Sequence, residues 1–131
     1  MKKTLLSLLI ITGVSFSYSQ ILQQDNFNTL TIGNVGTDIT GTTPGQGSWL
    51  TISNNGAAPT TSTNASAANF QIVNTGNNST NGLSIAGPNG DKGSRFMWKD
   101  GLDALWLSRT AGNNRIEVEY DFFTGANTTA Q

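Results

Sequence analysis

Short runs of alternating apolar and polar residues, separated by clusters of Gly, Asn and Pro, limit most strongly how this chain can fold. The runs include Ser48–Ser53, Asn69–Asn74, Gly82–Gly87 and Ser94–Asp100. A period of two over so few residues is typical of half-buried strands, and the clusters are typical of tight turns. Turn signals spaced by roughly ten residues predict an all-β, antiparallel β-sandwich.

The clearest alternation lies near the end of the chain, in Arg115–Phe123. Ile116, Val118, Tyr120 and Phe122 would share one face of a strand, and Glu117, Glu119 and Asp121 the other. A strand here, so close to Gln131, would leave an unpaired edge. We therefore expect an incomplete sandwich, truncated at its C-terminus.

Two other segments are harder to interpret. Asp25–Gly33 alternates imperfectly and predicts a first strand. Leu102, Leu105 and Trp106 fit a helical period, but Asp100–Arg109 is barely long enough for two turns. We interpret it as a turn that leads into a strand near Leu105–Arg109.

The N-terminus has the layout of a secretory signal peptide. Lys2 and Lys3 precede a largely apolar run, Leu5–Val14, and Ser17 and Ser19 are small residues suited to a cleavage site. The run is too short for a membrane anchor, which needs roughly 20 apolar residues. We predict that residues 1–19 are removed and that residues 20–131 form one secreted, extracellular domain without a membrane-inserted segment.

Composition excludes several function classes. Cleavage of the signal peptide removes Lys2 and Lys3 and leaves five cationic side chains and eight carboxylates. Such a net negative chain does not have the basic surface that nucleic-acid binding requires. The chain has no cysteine and no histidine, so disulfides, lipoprotein acylation, thiol chemistry and the usual zinc and copper sites are excluded. We predict no cofactor, no metal site and no nucleic-acid partner.

Three blocks of the sequence resemble the N-terminal half of a jelly-roll module in secreted Bacteroidota proteins, which is similar to the concanavalin A-like lectin/glucanase fold. The features that carry the resemblance are the acidic-Phe pair near Asp25, the Gly-Gln-Gly-x-Trp stretch that ends at Trp49, and the stretch from Trp106 through Arg-Thr-Ala-Gly-Asn-Asn to Asp-Phe-Phe-Thr-Gly. The blocks span roughly Asp25–Gly125.

The resemblance implies a β-sandwich on an exported, surface-associated protein and, more loosely, glycan binding. Such proteins often carry a C-terminal sorting domain for type IX secretion. No comparable stretch is present here, which agrees with the predicted truncation.

Three tryptophans are the candidates for stacking on a sugar. Trp98 alternates in phase with Phe96 and is predicted to face the core. Trp49 follows a Gly-rich loop, so it is either a sugar platform or an apolar anchor for that loop, and we favour the anchor. Trp106 is either buried or presented at the surface as a platform. Trp106 and Trp49 are therefore the predicted ligand-binding residues.

The acids Glu117, Glu119 and Asp121 offer the only catalytic alternative. Glucanases of this fold class carry their acids in a similar single-strand row, but neighbouring residues on one face of a strand lie about 6.6 Å apart. A retaining glycosidase needs its two carboxyl groups about 5–5.5 Å apart. We interpret the row as a solvated strand face and predict no catalytic residues. A calcium site through Asp91, Asp100 and Asp103 stays open as a weaker alternative.

The sequence thus favours a non-catalytic module of a secreted bacterial surface protein, with a polysaccharide or cell-surface glycan as its partner in binding or adhesion. The alternatives are a structural spacer or interaction domain without a small ligand, and a fragment of a glucanase-like enzyme.

Overall fold

The computed structural model describes residues 20–57, 64–75, 80–88 and 92–122. The chain divides into two compact units, of which one is Ile21–Ser108 and the other joins Met1–Gln20 to Arg109–Gln131. The predicted signal peptide, residues 1–19, lies outside the described residues.

The unit Ile21–Ser108 is mostly β. Its described strands are β1 (Gly33–Asn34), β2 (Leu50–Asn54), β3 (Phe70–Asn74), β4 (Asn81–Ile85) and β5 (Ser94–Trp98). They form two antiparallel sheets, one of three strands in the order β1-β3-β4 and one that pairs β2 with β5. Two short 3₁₀ turns, Gln46–Ser48 and Ala67–Asn69, lead into β2 and β3. The prediction of an antiparallel β-fold is confirmed at this level, and the jelly-roll arrangement stays a prediction.

The core lies on the inner face of the three-stranded sheet. Phe70 and Ile72 alternate inward on β3 and are 1% and 0% exposed, and Val35, just after β1, is fully buried against them. Ile72 stands opposite Gly33 on one side and Leu83 on the other. The alternation read from Asn69–Asn74 therefore identified the buried face of β3. On β4 only Leu83 packs against the core, and Ile85, on the same face, is 47% exposed.

Strand β5 is turned the other way from the sequence prediction. Phe96 stands opposite Ile52 and is 58% exposed, whereas Met97 packs against the core. The prediction that Phe96 faces the core is wrong. Alternation separates the two faces of a strand but does not state which one is buried. In β2 residues of both faces are buried, since Thr51 and Ser53 are 3% and 2% exposed and Leu50, on the opposite face, is 4% exposed.

Trp98 shares the outer face with Phe96 but is half-buried. Gly41 lies directly over its ring, since a Cβ at Gly41 would stand 2.5 Å from Trp98 Cη2. Its φ of +78° is also one that glycine adopts without strain. The indole Nε1 donates to Asp100 Oδ1 at 3.0 Å.

Two predicted strands are replaced by other structures in this unit. Leu102–Leu107 forms the short helix α1, so the predicted strand near Leu105–Arg109 is wrong. Residues 27–30 and 32 form turns and bends, and of the predicted first strand, Asp25–Gly33, only Gly33 belongs to β1. Both segments lie among turn-forming residues. Hydrogen bonds from their side chains to the nearby backbone compete there with the hydrogen bonds between strands. Among the described residues, no helix has both the length and the hydropathy needed to span a membrane.

The second unit contains Arg115–Phe122, which we call the acidic segment. The predicted strand is not formed there, because no other strand among the described residues forms backbone hydrogen bonds with this segment. Its four apolar side chains, those of Ile116, Val118, Tyr120 and Phe122, are 65–77% exposed.

Candidate functional site

A cluster around Asp25 joins three parts of the unit Ile21–Ser108 that are far apart in sequence. Asp25 Oδ2 accepts hydrogen bonds from Trp49 Nε1 at 2.9 Å and from Lys99 Nζ at 2.8 Å. Asp25 Oδ1 accepts from the backbone N–H of Phe27 at 2.9 Å. The ion pair is largely withdrawn from solvent, since the Lys99 and Asp25 side chains are 19% and 17% exposed.

The aromatic part of the cluster packs onto the core. Phe27 and Trp49 stack with ring centroids 5.9 Å apart, and Lys99 Nζ lies 4.7 Å from the centroid of the Trp49 ring. Both rings contact the buried residues of the core. Phe27 has a φ of +59°, which costs a non-glycine residue free energy, and its bond to Asp25 helps to hold it there.

The Gly-Gln-Gly stretch places Trp49 in this cluster. A Cβ at Gly45 would stand 2.2 Å from the carbonyl oxygen of Val35, so only glycine allows this approach. Gln46 fastens the loop, since its N–H donates to Val35 O at 2.6 Å and its Nε2 donates to the carbonyl oxygens of Thr31 and Asn34. The loop is thus held by the backbone and the Gln46 side chain on one side and by the indole on the other.

Electrostatics favour the ionised form of Asp25. Burial alone would raise its pKa, but the hydrogen bonds from Lys99, Phe27 and Trp49 and the charge of Lys99 outweigh this and lower the pKa below its usual value. The carboxylate therefore serves as an acceptor that binds three donors at neutral pH. It is not suited to donate a proton as a general acid there.

A shallow depression of about 420 Å³ opens beside this cluster. Most of its lining is polar and includes a carboxylate, an ammonium group, two amides and a hydroxyl. The lining residues are Gln24, Asp25, Asn26, Thr29, Leu30, Gly47 and Lys99. The lining provides hydrogen-bonding groups that suit a ligand rich in hydroxyl groups.

The two predicted ligand-binding tryptophans lie in different environments. Trp49 is half-buried and adjoins the depression through its contacts with Asp25 and Lys99. Trp106 is half-buried on α1 and does not line the depression. The structure leaves their roles in binding as predictions.

Sequence reasoning missed the central pair of this cluster. Asp25 and Lys99 are 74 positions apart, and no spacing in the sequence links the two residues. The Asp-x-Phe pair and the Gly-Gln-Gly-x-Trp stretch are recognisable in the sequence, but the sequence does not indicate that they meet at one carboxylate.

Asp38 is a second acidic residue with several donors, and its role is local. It accepts hydrogen bonds from the backbone N–H groups of Thr40, Thr42 and Thr43 and from the Thr40 hydroxyl. The bond from the Thr43 N–H contributes most to holding its pKa well below the usual value. These bonds close the loop that precedes Gly45, so we assign Asp38 to loop structure.

The described acids do not gather into a metal centre. Among the residues that the structure describes, no three His, Cys, Asp or Glu side chains are placed to hold a metal ion. Asp91, one of the three acids considered for calcium, lies outside the described residues. Glu117, Glu119 and Asp121 are exposed along the acidic segment.

Comparison with known proteins adds no identification. No family model matches the chain, and neither the curated proteins nor the solved structures include a match. The chain is thus characterised by its own structure: a small, mostly β protein with two antiparallel sheets.

Proposed function

We propose that this chain is a non-catalytic, β-rich module of an exported bacterial surface protein and that it binds a polysaccharide or a cell-surface glycan. The observation that supports the proposal best is the polar depression beside Asp25 and Lys99. Sugars are bound by hydrogen bonds from amides, hydroxyls and charged groups, and this lining provides all three.

The binding groups in this proposal are the exposed polar residues of the rim. Gln24, Asn26 and Thr29 are exposed and line the depression. Asp25 and Lys99 bind each other and hold Trp49, so their main part is to keep the rim in place. The jelly-roll arrangement, export and surface attachment belong to the same proposal and rest on the sequence features described above.

A glycan array probed with the full chain tests this function. The double variant Gln24→Ala/Thr29→Ala removes an amide and a hydroxyl from the rim, and neither side chain takes part in a hydrogen bond described within the chain. We expect this variant to lose at least tenfold in affinity for any glycan that the chain binds. The matched control Gln23→Ala/Thr37→Ala changes the same residue types at exposed positions outside the rim and should bind normally.

A structural spacer is the second candidate, and one observation favours it. The Trp49 ring already contacts Phe27 and Lys99, and its N–H already donates to Asp25, so its interactions are those of an anchor. If the chain binds no glycan on the array, or if the rim variant binds as well as the control, the glycan proposal fails and the spacer is preferred.

A further inference from the structure

The lining of the depression beside Asp25 contains two opposite charges that form an ion pair. Of the described residues that line it, Asp25 and Lys99 are the two charged ones, and Lys99 Nζ lies 2.8 Å from Asp25 Oδ2. The pKa of Asp25 is lowered, so its carboxylate stays ionised at neutral pH. Because the two charges cancel, the depression carries no net charge of its own.

Charged residues close to the pair in sequence do not make the depression positive. Asp100, which follows Lys99, adds a negative charge, and its Oδ1 accepts a hydrogen bond from Trp98 Nε1. Arg95 is the next cation along β5, and its guanidinium donates to two backbone carbonyl oxygens. On an extended strand its Cα lies about 13 Å from that of Lys99, which exceeds the Debye length at physiological ionic strength. The whole chain has a formal net charge of −1, so its overall field does not attract an anion either.

An anionic ligand gains little from Lys99, because it must approach Asp25 as well. The Lys99 ammonium group has three N–H donors, and one of them donates to Asp25. A carboxylate or sulfate oxygen bonded to another of these donors would lie at most about 6 Å from Asp25 Oδ2, since both oxygens are at hydrogen-bond distance from one nitrogen. Coulomb energy varies inversely with distance, so repulsion by Asp25 cancels about half or more of the attraction to Lys99. The anion must still lose part of its hydration.

A sugar hydroxyl avoids this repulsion. It can accept an N–H of Lys99 and at the same time donate its own hydrogen to a neighbouring acceptor. Asp25 Oδ1 accepts one hydrogen bond within the described part of the chain, from the Phe27 N–H, and a carboxylate oxygen has lone pairs for two. The exposed rim adds donors and acceptors that carry no charge, on Gln24, Asn26 and Thr29. The lining is thus matched to uncharged hydroxyl groups.

We infer that the depression takes an uncharged stretch of glycan and that the Asp25–Lys99 pair discriminates against sugars that carry carboxylate or sulfate groups. A cationic sugar gains no advantage either, because its ammonium group would be repelled by Lys99 as it approaches Asp25. Specificity of this kind comes from the unfavourable charge contact of the wrong ligand. The inference rests on the proposed glycan binding and specifies the class of glycan. It gives the ion pair a part in selectivity in addition to its part in holding the rim.

Polysaccharides that differ in charge but share a backbone provide the probe. The set pairs dextran with dextran sulfate, xylan with glucuronoxylan and mannan with polymannuronate, and it includes diethylaminoethyl-dextran as a cationic form. Binding of the full chain to each immobilised polysaccharide is measured at low and at physiological ionic strength. In any pair that the chain binds, we expect the neutral member to bind at least about tenfold more tightly than the acidic one. Its affinity should be almost independent of salt, because no net charge is brought together.

Removal of the negative charge from the pair sharpens the test. In Asp25→Asn the charge of Lys99 is no longer balanced, so the ratio of acidic to neutral affinity should rise at least about fivefold. Asp103→Asn is the matched control, because it makes the same charge change at an exposed residue of α1 that does not line the depression, and its ratio should stay as in the native chain. If Asp25→Asn does not fold, Thr29→Lys adds a cation to the lining and should raise the ratio, whereas Thr37→Lys, exposed outside the lining, should not.

The outcomes separate this inference from the proposed function. If an acidic or cationic polysaccharide binds as tightly as its neutral counterpart and Gln24→Ala/Thr29→Ala loses that binding, glycan binding at the depression stands and the inference is wrong. If the rim variant keeps that binding, the glycan binds elsewhere and both fail. Both also fail if no polysaccharide in the set or on the array binds. An unchanged ratio in a folded Asp25→Asn would show that the ion pair does not set the preference.

Discussion

Strand β3 and the acidic segment have the same alternating pattern and opposite outcomes. In β3, Phe70 and Ile72 are 1% and 0% exposed, whereas Val118 and Tyr120 in the acidic segment are 77% and 76% exposed. The difference lies in the partners. β3 is paired on both sides, by β1 and β4, and packs against Val35, whereas the described residues provide no ladder for the acidic segment. Alternation places the apolar side chains of a strand on one face. That face becomes buried only when neighbouring strands and core residues pack against it.

The largest expected effect comes from shortening the equivalent apolar side chain in each region. Ile72→Ala leaves a cavity in a fully buried site and should lower the free energy of unfolding by about 3–5 kcal/mol. Val118→Ala removes exposed atoms and should change it by less than about 0.5 kcal/mol. Denaturant unfolding of both variants measures the contrast.

Ile72→Val provides a milder version in case Ile72→Ala does not fold. It should cost about 1 kcal/mol, because only one methylene group is lost. Equal losses from Ile72→Val and Val118→Ala would contradict the comparison.

The second effect concerns the loop at Gly45, which packs against Val35. Gly45→Ala would place a Cβ 2.2 Å from Val35 O and should lower the free energy of unfolding by about 2–3 kcal/mol, since the backbone must move. Gly87→Ala is the matched control, because no atom lies within 4 Å of a Cβ there and its φ is not restricted to glycine. A Gly45→Ala variant as stable as Gly87→Ala would show that the loop is not held against Val35. Thermal unfolding is sufficient to compare them.

The third effect isolates the indole hydrogen bond of the anchor. Trp49→Phe keeps most of the apolar contact with Phe27 but removes the donor to Asp25, and it should cost about 1–2 kcal/mol. Trp49→Ala should cost more, because the ring contacts are lost as well. If Trp49→Phe is as stable as the native chain while glycan binding is lost, the tryptophan is a ligand platform and the anchor interpretation is wrong.

The smallest effect is a dependence of stability on pH. The folded-state pKa of Asp25 lies below the value of about 3.9 expected for an unfolded chain, so the carboxylate contributes stability above that value. This stability is lost as the pH falls through the folded-state pKa, and Asp38 acts in the same direction. We expect the melting temperature to be nearly flat above about pH 5 and to fall below about pH 4.

The variant Asp25→Asn separates the contributions of Asp25 and Asp38 to the pH dependence of stability. It should lower the melting temperature at neutral pH and reduce the acid-induced decrease, while leaving the part due to Asp38. A decrease of unchanged size in Asp25→Asn would mean that the Asp25–Lys99 pair contributes no pH-dependent stability.

The strand positions were largely predictable from sequence, and the orientation of one sheet was not. Alternation located β2, β3, β4 and β5 because the turn-forming clusters delimit them. It failed for Phe96 and Met97, since either face of β5 satisfies a period of two and the paired strand β2 buries Thr51 and Ser53 as well as Leu50. Helix α1 was missed because six residues are too few for a helical period to outweigh a strand pattern.

The site was predictable in part. The Gly-rich entry to Trp49 indicated an anchored loop, and the structure gives the contacts of Gly45 and Gln46 that anchor it. The ion pair of Asp25 with Lys99 could not be predicted, because long-range contacts between single polar residues leave no local pattern. The acidic segment was predicted to be a strand because its alternation is the clearest in the chain. A local pattern of this kind does not indicate whether a second strand is present to pair with it.

Hydrogen exchange of the free full chain, followed amide by amide, tests the central claim that the partner and not the pattern decides burial. The β3 amides of Gln71, Ile72 and Val73 that enter its two ladders should exchange at least a hundredfold more slowly than those of an unfolded peptide. The amides of Val118, Glu119 and Tyr120 should exchange within about tenfold of the unfolded rate. Slow exchange in both regions would show that the acidic segment is already paired in the free chain, and the account would be wrong.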